Sequence, residues 1–499
     1  MDQNKHLLTD NQMRQFISDG YLVLKADFPK EFHEQMQSKI GEFMDKEGNP
    51  GNNFLPRLPE TQEVFDHPTI RGALSSVLGE NYIMHPHRHC HYSKPGRTVQ
   101  RWHKDSYWGF QKIRNHHQWW AMIFYYPQDT DMEMGPSGIL PGTQYYAKRA
   151  DESLEREVHM EGDAGTFALI HYDLWHRGTD NVSQRNRSMM KFQFVRMDAP
   201  TGPSWNHQDP DWISPNGDGP PNQHESAWNH TWNWFKGEGS NTPAPNNDVS
   251  GAEMSLLINS LESTDPTERL EAADSLGMMG DAAADAIPAL IDLMADTVEP
   301  VAVNASYALA AMNGAAMPAL ADALHSNNLA LNRNAGYALS TFGDSAVPDL
   351  LAALESDNEQ TRGYAAFALG EIGSEAAIEK FSEMSTNDPS EWVRRSVVES
   401  LGTLDSTTDA AVDALANVVV NDSDGQVRFT TGLSLARLGP AADAAVPALS
   451  QALKDDDRYV RANAVEALRQ IGTPEALNIA MDHLIASRWC PITTPENLF

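Results

Sequence analysis

The sequence predicts a multidomain chain in which an N-terminal all-β domain precedes a C-terminal all-α solenoid. Its 499 residues exceed what one ordinary hydrophobic core holds. Up to about residue 250, apolar or alternating runs of β-forming residues are broken by Gly, Pro and Asn. Beyond that point, a helical unit recurs roughly every 30 to 34 residues. We therefore assign residues 1–235 to the β domain, 236–251 to a linker and 252–499 to a solenoid of about seven repeats.

The N-terminal domain opens with a predicted helix and continues with strands. In TDNQMRQFISDGYLVL (9–24) the apolar residues have helical spacing, with Asp10 as the expected N-cap and Gly20 as the stop before a strand. Strands are predicted in three apolar runs rich in aromatic and β-branched residues, WWAMIFYY (119–126), GTFALIHYDLW (165–175) and MMKFQFVRM (189–197).

A short helix is predicted just before the linker. The segment HESAWNHTWNWF places Trp228, Trp232 and Phe235 at positions i, i+4 and i+7, which share one helix face. We expect this face to pack against the β domain. The following GEGSNTPAPNNDVSG has the composition of a flexible linker.

The repeats of the second half each contain a helix, a Gly-containing turn and a second helix. The second helix often opens with Ala-(Ile/Val/Met)-Pro, because proline suits the first helical turn. Arginines often lead the first helix, as Arg362, Arg394, Arg428 and Arg461 do. The pattern resembles short HEAT repeats of the kind also found in phycobilin lyases. Such units stack into a solenoid because no single unit buries its apolar face alone. The anchoring leucines are Leu276, Leu309, Leu339, Leu369, Leu401, Leu435 and Leu468.

Charge and cysteine content restrict the functional classes. The net charge is -32, and most of the excess acid lies after residue 250, so nucleic acid and anionic membranes are not expected partners. Adaptation for solubility and a surface for a cationic partner both remain open explanations. Cys90 and Cys490 are too few for a disulfide framework, and no apolar stretch is long enough to span a membrane. We expect a cytoplasmic protein.

The run MHPHRHCHY (84–92) has four histidines at alternate positions, His85, His87, His89 and His91. On a strand they would share one face. Same-face neighbours lie about 6.5–7 Å apart, so four of them span roughly 20 Å. One ion about 2 Å from each ligand nitrogen cannot reach all four. We therefore expect a structural or substrate-facing role, with at most a neighbouring pair binding metal.

A second histidine motif is a stronger candidate for metal binding. In WHKD (102–105), His103 and Asp105 share a face if the chain is extended, and His176 follows an apolar strand. Two histidines and one carboxylate on one side of an Fe(II) ion leave three positions open, as a 2-oxo acid and O₂ require. Arg187, eleven residues after His176, is placed to pair bidentately with the far carboxylate of such a cosubstrate.

The order of these and neighbouring motifs resembles the phytanoyl-CoA dioxygenase family, over about residues 8–200. The resemblance implies a double-stranded β-helix, a jelly-roll or cupin-like fold with flanking helices. It also implies that His103, Asp105 and His176 are the catalytic metal ligands and that Arg187 anchors the 5-carboxylate of 2-oxoglutarate. The motifs are KPG (94–96), WHKD (102–105), EMGPSGILPGTQ (133–144), GDAGTF (162–167), WHRGTDN (175–181) and RNRSMMKFQF (185–194).

Several neighbouring residues are further candidates. Some family members place a serine where this chain has Gly178, so Thr179 is the candidate for the second cosubstrate contact. Gln118 is a candidate cosubstrate-binding residue, and Trp108 and Trp120 are candidates for lining the substrate pocket, with packing in the β core as the alternative. Related halogenases lack the carboxylate ligand, so the presence of Asp105 favours hydroxylation.

These observations predict an Fe(II)- and 2-oxoglutarate-dependent dioxygenase that hydroxylates an organic substrate, consuming O₂ and releasing succinate. The substrate is either a small molecule or carrier- or protein-bound, and the HEAT repeats would serve docking or assembly, including a protein partner. One alternative is an inactive scaffold built around the solenoid. A chromophore-handling role for the solenoid ranks last, because its helices offer no cysteine.

Overall fold

The computed structural model describes residues 6–108, 116–149, 151–215, 223–238 and 251–487. The chain divides into two compact units. The first contains the described residues up to 107, from 116 to 215, and 486–487. The second contains residue 108 and the described residues from 223 to 485. The first is rich in strands and the second is helical, as the sequence predicts.

Within the described residues, the first unit contains four α-helices and eight strands, together with short 3₁₀ helices. The helices are α1 (Asp10–Asp19), α2 (Lys30–Lys46), α3 (Thr61–Asp66) and α4 (Pro68–Leu78). The strands are β1 (Tyr21–Lys25), β2 (Tyr82–Ser93), β3 (Trp120–Tyr126), β4 (Ser137–Ile139), β5 (Val158–His159), β6 (Thr166–His171), β7 (His176–Gly178) and β8 (Arg187–Arg196).

The strands form a larger and a smaller sheet. The larger is antiparallel throughout, in the order β1-β6-β3-β8-β2, and the smaller has the order β5-β4-β7. Every residue of β3, β6 and β8 is buried, because these strands lie inside the sheet and both of its faces are covered. Aromatic rings fill this core. The ring centroids of Tyr125 and Phe167, which stack, lie 4.5 Å apart, and those of Phe192 and Phe65 lie 4.6 Å apart.

The first helix has a different cap from the one predicted. Thr9, not Asp10, is the N-cap: the Thr9 side chain accepts from the backbone N–H of Gln12, and the Gln12 side chain accepts from that of Thr9. Asp10 lies inside the first turn, where it accepts a hydrogen bond from Trp205 Nε1 at 2.6 Å. The predicted stop is confirmed, since Gly20 adopts φ +78° at the C-cap.

The second unit contains one helix before the linker region and a series of paired helices after it. The paired helices are the repeats that the sequence predicts. No helix among the described residues is both long and apolar enough to cross a membrane. The helices are α5 (Glu225–Phe235), α6 (Gly251–Ser260), α7 (Pro266–Met279), α8 (Ile287–Leu293), α9 (Glu299–Ala311), α10 (Asn313–Leu324), α11 (Leu329–Leu339), α12 (Val347–Ala353), α13 (Glu359–Ile372), α14 (Ile378–Asn387), α15 (Glu391–Leu401), α16 (Asp409–Asn421), α17 (Gly425–Leu438), α18 (Val446–Ala452), α19 (Arg458–Ile471) and α20 (Pro474–Ala486).

The arginines near the start of the first helices join successive repeats. Arg394 Nε lies 2.7 Å from Asp422 of the next repeat, and its Nη2 lies 2.9 Å from the other carboxylate oxygen. Its Nη1 donates to the Asp388 carbonyl before its own helix, at 3.0 Å. The same bidentate pairing recurs in Arg269–Asp296, Arg362–Asp388 and Arg428–Asp455.

Helix α5 belongs to the second unit, where it lies beside α7 and α9. The expectation that its aromatic face packs against the β domain stays a prediction. Asp274 on α7 accepts from the backbone N–H groups of Glu225 and Ser226 at 3.1 Å and thereby caps α5. His224 also hydrogen-bonds the side chain of Asn304 on α9. Most of the predicted linker, residues 239–250, lies outside the described residues.

Candidate metal centre

A single backbone bridge sets the two histidines of the predicted triad side by side. The His103 N–H donates to the His176 carbonyl and the His176 N–H donates to the His103 carbonyl, each at 3.0 Å. His176 is the first residue of β7, held in the smaller sheet by β4. Asp105, expected in an extended segment, instead begins a 3₁₀ turn (Asp105–Trp108). The turn nevertheless places the Asp105 carboxylate close to both imidazole rings.

The three side chains meet closely. Asp105 Oδ1 lies 3.6 Å from His176 Nε2 and 3.9 Å from His103 Nε2. Among the described residues they form the one group of three or more His, Cys, Asp or Glu whose ligand atoms all lie within 4.8 Å of one another. Ligand atoms about 2.0–2.2 Å from a shared ion lie about 3–4 Å apart. The triad therefore matches the spacing of a single metal ion.

The unpaired atoms of the triad also suit a cation. The Nδ1 atoms of His103 and His176 face the backbone carbonyls of Arg101 and Leu174, at 2.9 and 3.0 Å. Donation from Nδ1 leaves Nε2 as the ring atom with a free lone pair. His176 Nε2 and Asp105 Oδ1 are buried and have no hydrogen-bond partner within the described part of the chain. A bound cation would satisfy both.

The electrostatics of the site keep its ligands in the metal-binding protonation states. Burial lowers the pKa of His176 to about 3, so its imidazole is neutral at neutral pH. Burial alone would raise the pKa of Asp105, but the charge and hydrogen bond of Lys191 lower it well below its usual range. Asp105 is therefore a carboxylate at neutral pH.

The second oxygen of Asp105 is already engaged. Its Oδ2 accepts from Lys191 Nζ at 2.6 Å and from Gln193 Nε2 at 3.0 Å. Neither donor was predicted from the sequence. The sequence does contain a signal for them: Arg187, Lys191 and Gln193 are separated by even numbers of positions along the strand RSMMKFQFVR and therefore share one face.

The triad opens onto a cleft that is lined by residues of both sheets. Cations dominate its charged lining, in Arg97, Arg177, Arg187 and Lys191. Arg187 is buried, and its Nε and Nη1 groups have no hydrogen-bond partner within the described residues. Burial lowers the pKa of Arg187 from its usual value, but an arginine stays charged in proteins. A buried guanidinium with free N–H groups suits a carboxylate ligand.

The other predicted site residues fall in different places. Thr179 lines the cleft, and its hydroxyl donates to the Pro136 carbonyl at 2.6 Å. Gln118 donates to the Trp120 carbonyl, and neither residue belongs to the lining of the cleft as described. Trp120 stacks with Tyr172 at 5.0 Å. The side chain of Trp108 lies outside the described residues.

The four alternating histidines lie on β2 but do not form one continuous row. A register shift between Met84 and Arg88 interrupts the pairing with β8, so the assumed alternation fails there. His85 is buried against Trp120, and burial lowers its pKa to about 3. His91 lies opposite Met189 and is the member of the run that lines the cleft. Its Nε2 is buried without a hydrogen-bond partner among the described residues.

Comparison with known proteins supports the separation into two parts. The phytanoyl-CoA dioxygenase family model matches residues 16–189, and a model for HEAT repeats matches residues 254–340, 347–436 and 412–489. Comparison with curated protein sequences gives no significant match.

Three similar solved structures have low identities and TM-scores. An iron-bound structure of EctD from S. alaskensis is 16% identical, with a TM-score of 0.34, and covers 38% of this chain and 77% of its own. The α-ketoglutarate-dependent carbocyclase SnoK from nogalamycin biosynthesis is 17% identical, with a TM-score of 0.32 and coverages of 38% and 85%. The non-heme monooxygenase ThoJ is 17% identical, with a TM-score of 0.31 and coverages of 38% and 80%. On the family match and the strand-rich fold, residues 16–189 form a domain of the phytanoyl-CoA dioxygenase family, joined in one chain to HEAT repeats.

Proposed function

We propose that this protein is an Fe(II)- and 2-oxoglutarate-dependent dioxygenase that hydroxylates an organic substrate. The observation that carries the proposal is the meeting of His103, Asp105 and His176 beside a cleft that also contains the buried Arg187. Two ligand-type atoms and two guanidinium N–H groups are buried there without hydrogen-bond partners in the described chain. Such groups cost free energy unless a ligand satisfies them.

The residues have distinct roles in this proposal. His103, Asp105 and His176 hold the ion, which when bound supplies the oxidative chemistry of O₂ coupled to decarboxylation of 2-oxoglutarate. Arg187 binds the 5-carboxylate of 2-oxoglutarate with its free N–H groups, and Thr179 is the candidate for a second contact with the same group. Because Asp105 retains the carboxylate ligand, the proposed outcome is hydroxylation.

The cleft also has features that would protect the reaction from water. Phe124 and Met189, both buried, contribute apolar surface to its lining. His176 and Asp105 are 4% and 1% exposed, whereas the side chain of His103 is 27% exposed. Exclusion of water strengthens electrostatic interactions and limits side reactions. A bound substrate would close the remaining access.

We further propose that the HEAT repeats dock the enzyme to a partner or to a carrier- or protein-bound substrate. Stacked repeats present extended surfaces that suit binding of large ligands. The repeats and their surroundings hold most of the excess acid of the chain, which favours a cationic partner over nucleic acid. A small free substrate and a cytoplasmic location are compatible with the same proposal.

The test measures succinate formed from 2-oxoglutarate with added Fe(II) and O₂, in the full chain. Uncoupled turnover should be detectable in the wild type and should fall at least 100-fold in Asp105→Ala. Asp163→Ala is the matched control, because Asp163 is an exposed carboxylate of the same unit with 89% side-chain exposure. A wild-type protein that binds neither Fe(II) nor 2-oxoglutarate would instead favour the scaffold alternative.

A further inference from the structure

Lys191 makes a buried contact with one oxygen of the candidate ligand Asp105. Lys191 is 4% exposed and Asp105 is 1% exposed, and their atoms Nζ and Oδ2 lie 2.6 Å apart. Desolvating a lysine is costly unless a partner compensates. A neutral side chain would fill the same position in an apolar strand more cheaply. The lysine therefore points to a role beyond filling space.

Gln193 supports the same oxygen from the same strand. Its Nε2 lies 3.0 Å from Asp105 Oδ2, and it shares a strand face with Lys191 because the two are two positions apart. Strand β8 is held between β3 and β2, so both donors are fixed on a rigid element. With Oδ2 taken by two donors, Oδ1 is the oxygen that faces His103 and His176.

We propose that Lys191 is a positioning residue which, with Gln193, restricts Asp105 to a single ligand atom and so keeps cosubstrate positions on the metal open. This inference rests on the proposed function. A carboxylate without such restraint can bind an ion through one oxygen or through both. Binding through both would occupy a position that a facial triad leaves free for the cosubstrate or O₂.

The charge of Lys191 acts in the same direction. Lys191 lines the cleft together with Arg187, so it adds positive charge where a dicarboxylate would bind. A lysine beside the metal position also repels a divalent cation. Loss of Lys191 should therefore leave metal binding unchanged or stronger, while cosubstrate binding weakens. A lysine that served stability alone would not separate these two affinities.

The experiment measures two dissociation constants for each full-length variant under anaerobic conditions. Calorimetric titration gives the constant for Co(II), and the visible absorption of the Fe(II)–2-oxoglutarate chelate gives the constant for 2-oxoglutarate. We expect Lys191→Met to bind Co(II) at least as tightly as the wild type and 2-oxoglutarate at least tenfold more weakly. Lys191→Arg, which keeps the cation and a donor, should recover 2-oxoglutarate binding to within about threefold.

The control is Arg196→Gln, since Arg196 is a buried cation on the same strand whose donors go to the carbonyls of Gln118 and Val77. Arg196→Gln should leave the dissociation constants for Co(II) and 2-oxoglutarate within twofold of the wild-type values. Should Lys191→Met fail to fold, Gln193→Leu tests the same restraint and should weaken 2-oxoglutarate binding about threefold with Co(II) binding retained. Unchanged 2-oxoglutarate binding, or parallel loss of both ligands, overturns the positioning role. A wild type that binds neither ligand contradicts the proposed function itself.

Discussion

His103 and His176 hydrogen-bond each other through both of their backbone groups, at 3.0 Å in each direction. The bridge fixes the spacing of two rings that belong to separate segments of the chain. Each ring is then oriented by its Nδ1 contact with a backbone carbonyl. The site is therefore built before any ion binds, which reduces the ordering cost of metal binding.

The first prediction concerns Arg187. Substitution Arg187→Gln removes a buried cation whose Nε and Nη1 have no hydrogen-bond partner in the described residues. The KM for 2-oxoglutarate should rise by roughly 100-fold, about 2.7 kcal/mol, with Co(II) binding within twofold of wild type. Steady-state succinate formation measures the first quantity and calorimetry the second.

Arg185→Gln is the control for that variant, since Arg185 pairs at the surface with Asp131 and is 52% exposed. It should change the KM by less than twofold. Equal effects of the two substitutions would argue against a specific carboxylate site at Arg187.

The second prediction is a loss of stability in mild acid. The pKa of His85 is about 3 in the folded protein because of burial, against an ordinary value of 6.5. The unfolded chain therefore binds more protons between these values, and stability falls as the pH drops through 6.5. Between pH 8 and pH 5.5, His85 should contribute about 1.4 kcal/mol of that loss. Denaturant unfolding of the metal-free protein at the two pH values measures it.

His85→Gln should reduce the pH-dependent loss by about that amount, whatever its effect on stability at pH 8. His325→Gln, at an exposed position, should leave the loss unchanged. If His85→Gln loses as much stability between pH 8 and pH 5.5 as the wild type and His325→Gln do, His85 is not a buried neutral histidine.

The third prediction concerns the arginine–aspartate pairs between repeats. Arg394 and Asp422 are 12% and 4% exposed in their side chains, and the arginine also binds a backbone carbonyl. Arg394→Met should lower the free energy of unfolding by about 2 kcal/mol, because it leaves a nearly buried carboxylate with fewer charged partners. Chemical denaturation followed by far-UV circular dichroism is the measurement.

A more exposed pair that lies within a single helix provides the comparison. Arg469 pairs with Glu466 but is 58% exposed, so Arg469→Met should cost less than about 0.5 kcal/mol. A similar loss in both variants would show that burial and linkage between repeats do not set the strength of these pairs.

The triad could be predicted from the sequence because its members are chemically distinctive and stand in a recognisable order. His103 and Asp105 form a short motif, and His176 follows a run too apolar to be anything but buried. The HEAT repeats are predictable for a related reason, since a repeated apolar pattern requires neighbours to stack. The triad can be predicted from short local motifs, and the repeats can be predicted from a periodic pattern.

The missed features depend on tertiary pairing. Lys191 reaches Asp105 only because of how β8 is placed beside the 3₁₀ turn, which no local pattern specifies. Asp274 caps α5 from a helix that lies 48 to 49 positions further along the chain, which no local pattern specifies either. The histidine run adds a further case: its alternation is visible in the sequence, but the register shift between Met84 and Arg88 is not.

The most direct test of the account counts the metal ions bound by each chain. Anaerobic Co(II) titration should give one ion per chain for the wild type and less than 0.1 for Asp105→Ala. A variant with His85, His87 and His89 all replaced by glutamine should still bind one ion, because those residues lie outside the triad. Retention of the ion in Asp105→Ala together with its loss in the triple histidine variant would contradict the account.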